Sequence, residues 1–109
     1  MYLENYINQI NKLCEDHKVK QLFAFGSVLE TKFSESSDID LVVDFQTADP
    51  LDYAENYFAL KFSLQELLER PIDLLEQKAI QNKYLLQSIN KSKRLIYEAW
   101  SISVAWRYK

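Results

Sequence analysis

Three aspartates are the residues of this sequence best placed to do chemistry. Asp38 and Asp40 stand two apart at the start of an apolar run, so on a strand both carboxylates project from one face. Asp73 is an isolated acid inside the short apolar segment 71–76. Carboxylates held together repel each other unless a cation lies between them, and Mg²⁺ is a cation that takes such oxygen ligands. If the two strands are neighbours, the three acids form one metal site, at which Asp73 also helps to activate an attacking hydroxyl.

The single glycine of the chain, Gly26, follows an aromatic run and precedes Ser27. A residue without a Cβ lets the backbone pass close to a bulky group. Ser27 adds a hydroxyl and a backbone N–H at the start of a predicted short helix, and such N–H groups suit a phosphate. A phosphate loop opposite carboxylates and Mg²⁺ fits the transfer of a nucleotide from a nucleoside triphosphate.

Each of these features also has a plain structural interpretation when it is taken alone. Gly-Ser is a common turn dipeptide. Two aspartates at a strand start are common on solvated edges and helix caps, and a lone acid such as Asp73 can protect a sheet edge from aggregation. The combination at fixed spacing is what favours a site.

Hydrophobic periodicity predicts the elements that position these residues. Before residue 15, apolar residues recur on one helical face, and Cys14 continues that stripe. The strands are predicted at residues 19–25, 39–45 and 71–76, and the helices from about 28 to 32, from about 50 to 69 and from about 79 onward. This alternation predicts an α/β fold with a small mixed sheet of three to four strands covered by helices.

Two further predictions concern the helices. The helix at 50–69 is expected to bury its apolar residues Ala54, Tyr57, Phe58, Leu64, Leu67 and Leu68. The basic run Lys91, Lys93 and Arg94 is interpreted as a solvated helix face.

Composition excludes several classes of protein. A length of 109 residues indicates one domain, and a net charge of −3 argues against direct electrostatic binding of nucleic acid. One cysteine excludes an internal disulfide framework and a cysteine-based zinc site. No apolar run is long enough to span a membrane and no signal peptide is recognisable, so a cytoplasmic location is expected.

Residues 23–45, FAFGSVLETKFSESSDIDLVVDF, resemble the Gly-Ser…Asp-x-Asp signature of the minimal nucleotidyltransferases, which belong to the polymerase-beta-like nucleotidyltransferase superfamily. The later stretches ERPIDLLE and NKYLLQSINKSKRLIYE are also similar to that family. The resemblance extends to about Glu98 and implies the nucleotidyltransferase fold.

The resemblance also implies roles for individual residues. Gly26 and Ser27 would hold the phosphates of the nucleotide, with ATP or another nucleoside triphosphate as co-substrate. Asp38, Asp40 and Asp73 would be the catalytic, Mg²⁺-binding acids.

One segment departs from the family pattern. Many members continue after Gly-Ser to an Arg-Gly pair whose arginine approaches the phosphates, and here the matching residues are Glu30 and Thr31. Lys32 can replace the arginine only as a point charge, without its bidentate fork. This departure bears on the rate of transfer more than on the fold.

The acceptor of the nucleotide is expected to come from another molecule. Larger relatives carry a second domain that grips the acceptor. Here residues 1–98 are expected to form the transferase domain and residues 99–109 an aromatic tail without an assigned role. The resemblance implies a small all-helical HEPN-type partner, commonly an RNase toxin, which the transferase adenylylates on a tyrosine as its antitoxin.

Two alternatives remain at this stage. One is a binding module without catalysis, which neutralises its partner by contact and is favoured by Glu30. The other is a free-standing small-molecule nucleotidyltransferase that acts as a homodimer.

Overall fold

The computed structural model describes residues 2–29, apart from the side chain of Ser27, and residues 37–99. Glu30, Thr31, Lys32 and the tail from residue 100 onward lie outside the described residues. The α-helices are α1 (Ile7–Asp16), α2 (Pro50–Leu68) and α3 (Lys83–Ser92). The strands are β1 (Val19–Phe25), β2 (Ile39–Phe45), β3 (Ile72–Glu76) and β4 (Arg94–Glu98). Short 3₁₀ turns lie at Tyr2–Tyr6, Gly26–Leu29 and Gln77–Ala79.

The strands form a mixed sheet in the order β3-β2-β1-β4. β2 is antiparallel to β1 and parallel to β3, and β4 is antiparallel to β1. Within the described residues the sheet therefore has four strands, the upper end of the predicted range. The prediction of an α/β fold with a small mixed sheet is confirmed.

The two faces of the sheet have different characters. Ile39, Leu41, Val43 and Phe45 of β2 belong to the main hydrophobic core, which also contains buried residues of α1 and α2. We call this side the core face. Because side chains alternate along a strand, Asp40 and the other even-numbered residues of β2 project from the opposite side, which we call the acid face.

The connection from β2 to β3 runs through α2 and returns the chain to the end of the sheet at which β2 begins. Asp49 caps α2 by accepting a hydrogen bond from the Leu51 N–H at 3.1 Å, and Pro50 occupies the first helical position. The helix ends after Leu68, where Glu69 adopts a left-handed conformation with φ of 53°. The return brings the start of β3 beside the start of β2 as a parallel neighbour.

The predicted burial along α2 is only partly correct. Leu64 and Leu68 are buried and Tyr57 is half-buried, but Ala54 is exposed and Phe58 is 53% exposed. The helix is apolar on more than one side, and only the side facing the sheet can pack against it. Tyr57 lies between the buried and the exposed sides of α2, and its hydroxyl donates a hydrogen bond to the Leu74 carbonyl at 2.7 Å.

The last helical region also differs from its prediction. The predicted start near residue 79 corresponds to the 3₁₀ turn at Gln77–Ala79, and α3 begins only at Lys83, capped by the side chain of Asn82. After Ser92 the chain turns into β4, so Arg94 lies on a strand. The interpretation of the basic run as one helix face is therefore wrong. In the segments 2–29 and 37–99, no helix combines the length and apolar character needed to cross a membrane.

Candidate active site

The structure brings the three predicted acids to one end of the sheet. Asp40 and Asp73 are direct partners in the parallel register of β2 and β3. The Ile39 N–H donates to the Pro71 carbonyl at 3.0 Å, which ties the beginnings of the two strands together. Asp38 precedes β2 by one residue and is exposed. The expectation that two neighbouring strands carry the acids is met by this geometry.

Asp40 lies at the centre of this acidic group. Partial burial, followed by the negative charges of Asp73 and Asp38, raises the pKa of the Asp40 carboxyl above its ordinary value. The neighbouring negative charges that penalise an ionised Asp40 also favour a cation beside it.

The three acids are neighbours, but their side chains do not form a complete metal site. Among residues 2–29 and 37–99, no three His, Cys, Asp or Glu side chains are grouped closely enough to hold a metal ion together. The donors are nevertheless carboxylate oxygens, which suit a hard divalent cation that keeps water and substrate oxygens among its ligands. The residue types fit such a cation, and the side-chain positions would have to adjust around it.

The close approach of Asp40 explains why residue 26 is a glycine. Its φ is +73°, in the left-handed region, and a Cβ built on it would lie 2.6 Å from the Asp40 Oδ2 atom. The preceding residue, Phe25, is the cross-strand partner of Asp40. The bulky group that the lone glycine accommodates is therefore the Asp40 carboxylate itself.

The turn that begins at Gly26 is anchored by a side chain in the main core. It is a four-residue 3₁₀ turn, Gly26–Leu29, and Val28 within it is buried in the main core. The rest of the helix predicted to residue 32 lies outside the described residues. The phosphate-binding role of Gly26 and Ser27 remains a prediction, as does the metal-binding role of the three acids.

One acid that the sequence analysis did not single out also lies on the acid face. Asp44 is only 7% exposed, and its Oδ1 atom is 3.4 Å from the Lys78 Nζ atom, an ion pair without hydrogen-bond geometry. This pair connects the 3₁₀ turn at Gln77–Ala79 to β2. The signal in the sequence was the even spacing of Asp44 from Asp40, which places both on one face of the strand.

An open groove of about 580 Å³ lies elsewhere, between α1 and α2. These helices cover the core face, so the sheet separates this groove from Asp40 and Asp73. The groove is not the candidate site for chemistry.

Comparison with known families identifies the class of enzyme. The family described as "Polymerase beta, Nucleotidyltransferase" matches residues 8–101. The chain belongs to this family. Nucleotidyltransferase is therefore its enzyme class, and the resemblance seen in the sequence is confirmed.

Curated relatives agree with this assignment. "Putative protein adenylyltransferase MJ0128" of Methanocaldococcus jannaschii is 40% identical over 86 residues, which are 78% of this chain and 82% of that protein. "Putative protein adenylyltransferase MJ1379" of the same organism is 32% identical over 96 residues, which are 87% of this chain and 93% of that protein.

Solved structures share the fold. A structure described as a "putative minimal nucleotidyltransferase" superposes with a TM-score of 0.69 at 25% identity, covering 84% of this chain and 90% of that one. A toxin-antitoxin structure with AMP-PNP gives 0.65 at 24% identity, covering 87% and 75%. A tri-AMPylated HEPN toxin of Shewanella oneidensis in complex with an MNT antitoxin gives 0.60 at 24%, covering 96% and 79%. The nucleotidyltransferase fold is thereby confirmed.

The charge on Asp40 is expected to destabilise the protein in the absence of a divalent cation. With a raised pKa, the folded protein binds protons more readily than the unfolded chain, so the free energy of unfolding falls as pH rises through the interval between the ordinary and the raised value. Near neutral pH, Asp40→Asn should therefore be more stable than wild type by about 0.5–1 kcal/mol in urea unfolding with a chelator present. At a pH below the ordinary aspartate pKa the difference should vanish.

The matched control is Glu55→Gln, which removes an exposed carboxylate of α2 away from the acidic group. It should leave stability unchanged. An Asp40→Asn variant that is less stable than wild type near neutral pH would contradict the account of repulsion within the site.

Substitution of Gly26 should separate backbone strain from the contact with Asp40. Gly26→Ala introduces both the left-handed strain, about 1–3 kcal/mol, and a Cβ against the carboxylate. Gly26→Asn relieves much of the strain, since Asn tolerates this conformation, but keeps the Cβ. Both variants should lose most nucleotidyl transfer, while Gly26→Asn should melt nearer to wild type. Full activity in Gly26→Asn would show that the close approach to Asp40 does not matter.

Proposed function

We propose that this chain transfers AMP from ATP to a hydroxyl group of a HEPN-type partner protein, with Mg²⁺ as cofactor, and that it acts as the antitoxin of that partner. The observation that carries the proposal is the direct pairing of Asp40 with Asp73 on neighbouring strands, with Asp38 two residues away.

The acids have distinct positions in this proposal. Asp38 directly precedes β2 and Asp40 lies on it, two residues further along, so both can hold the cation that accompanies the triphosphate. Asp73 comes from the neighbouring strand, so it can hold the same cation as a third ligand, and its exposure makes it accessible to an incoming acceptor hydroxyl. When bound, Mg²⁺ supplies charge neutralisation at the phosphates and orients the triphosphate for in-line displacement.

The transfer itself is a displacement at the α-phosphorus of ATP. The acceptor hydroxyl oxygen forms a new bond to this phosphorus, and the bond from the phosphorus to the bridging oxygen of the pyrophosphate breaks. Asp73 accepts the proton of the hydroxyl, and the pyrophosphate leaves with the bonding electron pair. The products are the AMP ester of the acceptor and pyrophosphate.

The choice of nucleotide and partner is supported by the neighbours of this chain. Two relatives carry the name of a protein adenylyltransferase. One structure of the same fold contains AMP-PNP, an ATP analogue, and another contains a HEPN toxin that already carries AMP groups beside an MNT antitoxin. A partner that bears AMP is the product expected of this reaction.

The proposal is tested by intact-mass spectrometry of the chain co-expressed with a HEPN-type protein encoded beside it. Wild type should add the mass of one or more AMP units to the partner. Asp40→Asn should abolish the addition, because the central carboxylate of the acidic group is lost, whereas the control Glu55→Gln should retain it.

Other outcomes would replace the proposal. A binding module without catalysis would be indicated by a stable complex in which the mass of the partner never changes. In that case Asp40→Asn would neutralise the partner as well as wild type does. A self-associated chain that modifies a small molecule, with no protein partner, would indicate a free-standing transferase.

A further inference from the structure

Lys93 contacts an aromatic ring of the sheet, whereas its place in a basic run predicted a solvated side chain. It follows α3 as the C-terminal cap, where its backbone N–H donates to the Ile89 carbonyl at 2.7 Å. Its Nζ atom lies 4.3 Å from the centroid of the Phe23 ring. The residue is half-buried, and its ammonium group lies against the ring.

The Phe23 ring belongs to the acid face. Its neighbours Leu22 and Ala24 are both in the main core, so the alternation of β1 directs Phe23 to the opposite side. Phe25, two residues further on, is the partner of Asp40 in the register. The Lys93 ammonium therefore lies on the face that carries Asp40, over a residue that is about 7 Å along β1 from the partner of Asp40.

Two other cations near the sheet are paired with carboxylates. Lys78 is 3.4 Å from Asp44, and Arg94 is 3.8 Å from Glu4. The contact described for Lys93 differs in kind, because the face of an aromatic ring attracts an ammonium group without neutralising its charge. A positive charge held in this way remains available to an anion.

We propose that Lys93 binds the triphosphate of the nucleotide, with the Phe23 ring as the platform that holds its ammonium group in place. This inference rests on the proposed function, since it assigns a further ligand to the same ATP. A nucleoside triphosphate placed on the acid face meets three carboxylates at one end. A positive charge one row away compensates for part of this repulsion and attracts the phosphates as a point charge.

Lys93 also has a purely structural alternative, in which it only fastens α3 to the sheet. α3 buries Ile89 and leaves most of its other residues exposed, so a contact at its end could contribute to docking. A fastening role affects the melting temperature, whereas a phosphate-binding role affects the affinity for ATP. The two roles are therefore separable by measurement.

The test measures the dissociation constant of the full chain for ATP with Mg²⁺ by calorimetry, and KM for ATP in the complex with its partner. Lys93→Met keeps an apolar stem over Phe23 and removes the charge. It should weaken ATP binding and raise KM about tenfold, the loss expected for one contact to a charged group, while kcat and the melting temperature stay close to wild type.

Three further variants sharpen the test. Lys93→Arg should restore most of the affinity, since it restores the charge. Phe23→Leu should weaken ATP binding in part, because the charge remains but its platform is lost. Lys91→Met, which removes an exposed charge from the last turn of α3, is the matched control and should bind ATP like wild type.

The outcomes distinguish this inference from the function on which it rests. Wild type that binds ATP and transfers AMP, together with Lys93→Met of equal affinity and a lowered melting temperature, would assign Lys93 a fastening role and overturn the inference alone. Wild type that neither binds ATP nor transfers AMP would overturn the proposed function and the inference with it.

Discussion

The parallel pairing of β2 with β3 is the constraint on which the rest of the site depends. The hydrogen bond from the Ile39 N–H to the Pro71 carbonyl aligns the two strand starts, and that alignment sets Asp40 opposite Asp73. A shift of one residue would turn one of the two carboxylates toward the core face. The core residues that alternate with the acids, such as Leu41 and Leu74, therefore fix the positions of the acids as well as the stability of the sheet.

This arrangement places the requirements of stability and of chemistry in opposition. Partial burial, followed by the like charges of Asp73 and Asp38, raises the pKa of Asp40 and opposes folding. Gly26 accommodates the result, because its left-handed backbone and missing Cβ leave room for the Asp40 carboxylate. The lone glycine and the paired acids therefore depend on each other structurally.

Much of this organisation could be predicted from local sequence patterns. The even spacing of Asp38 and Asp40 in an apolar run gave their common face, and the position of the lone glycine gave the end of β1. The direct pairing of Asp40 with Asp73 could not be derived, because strand register depends on contacts between residues far apart in the chain. The boundary between α3 and β4 was also missed, since a short apolar run suits a helix and a strand equally well. The ring contact of Lys93 was missed because Phe23 is distant from it in sequence.

The most direct test of the central claim is a titration of Mn²⁺, as a paramagnetic substitute for Mg²⁺, followed by electron paramagnetic resonance in the presence of AMP-PNP. The account predicts that wild type and Glu55→Gln bind the ion with equal affinity, while Asp73→Asn binds it at least about tenfold more weakly, in line with the loss of a charged ligand. Equal binding by Asp73→Asn and wild type would show that the strand pairing does not create the cation site.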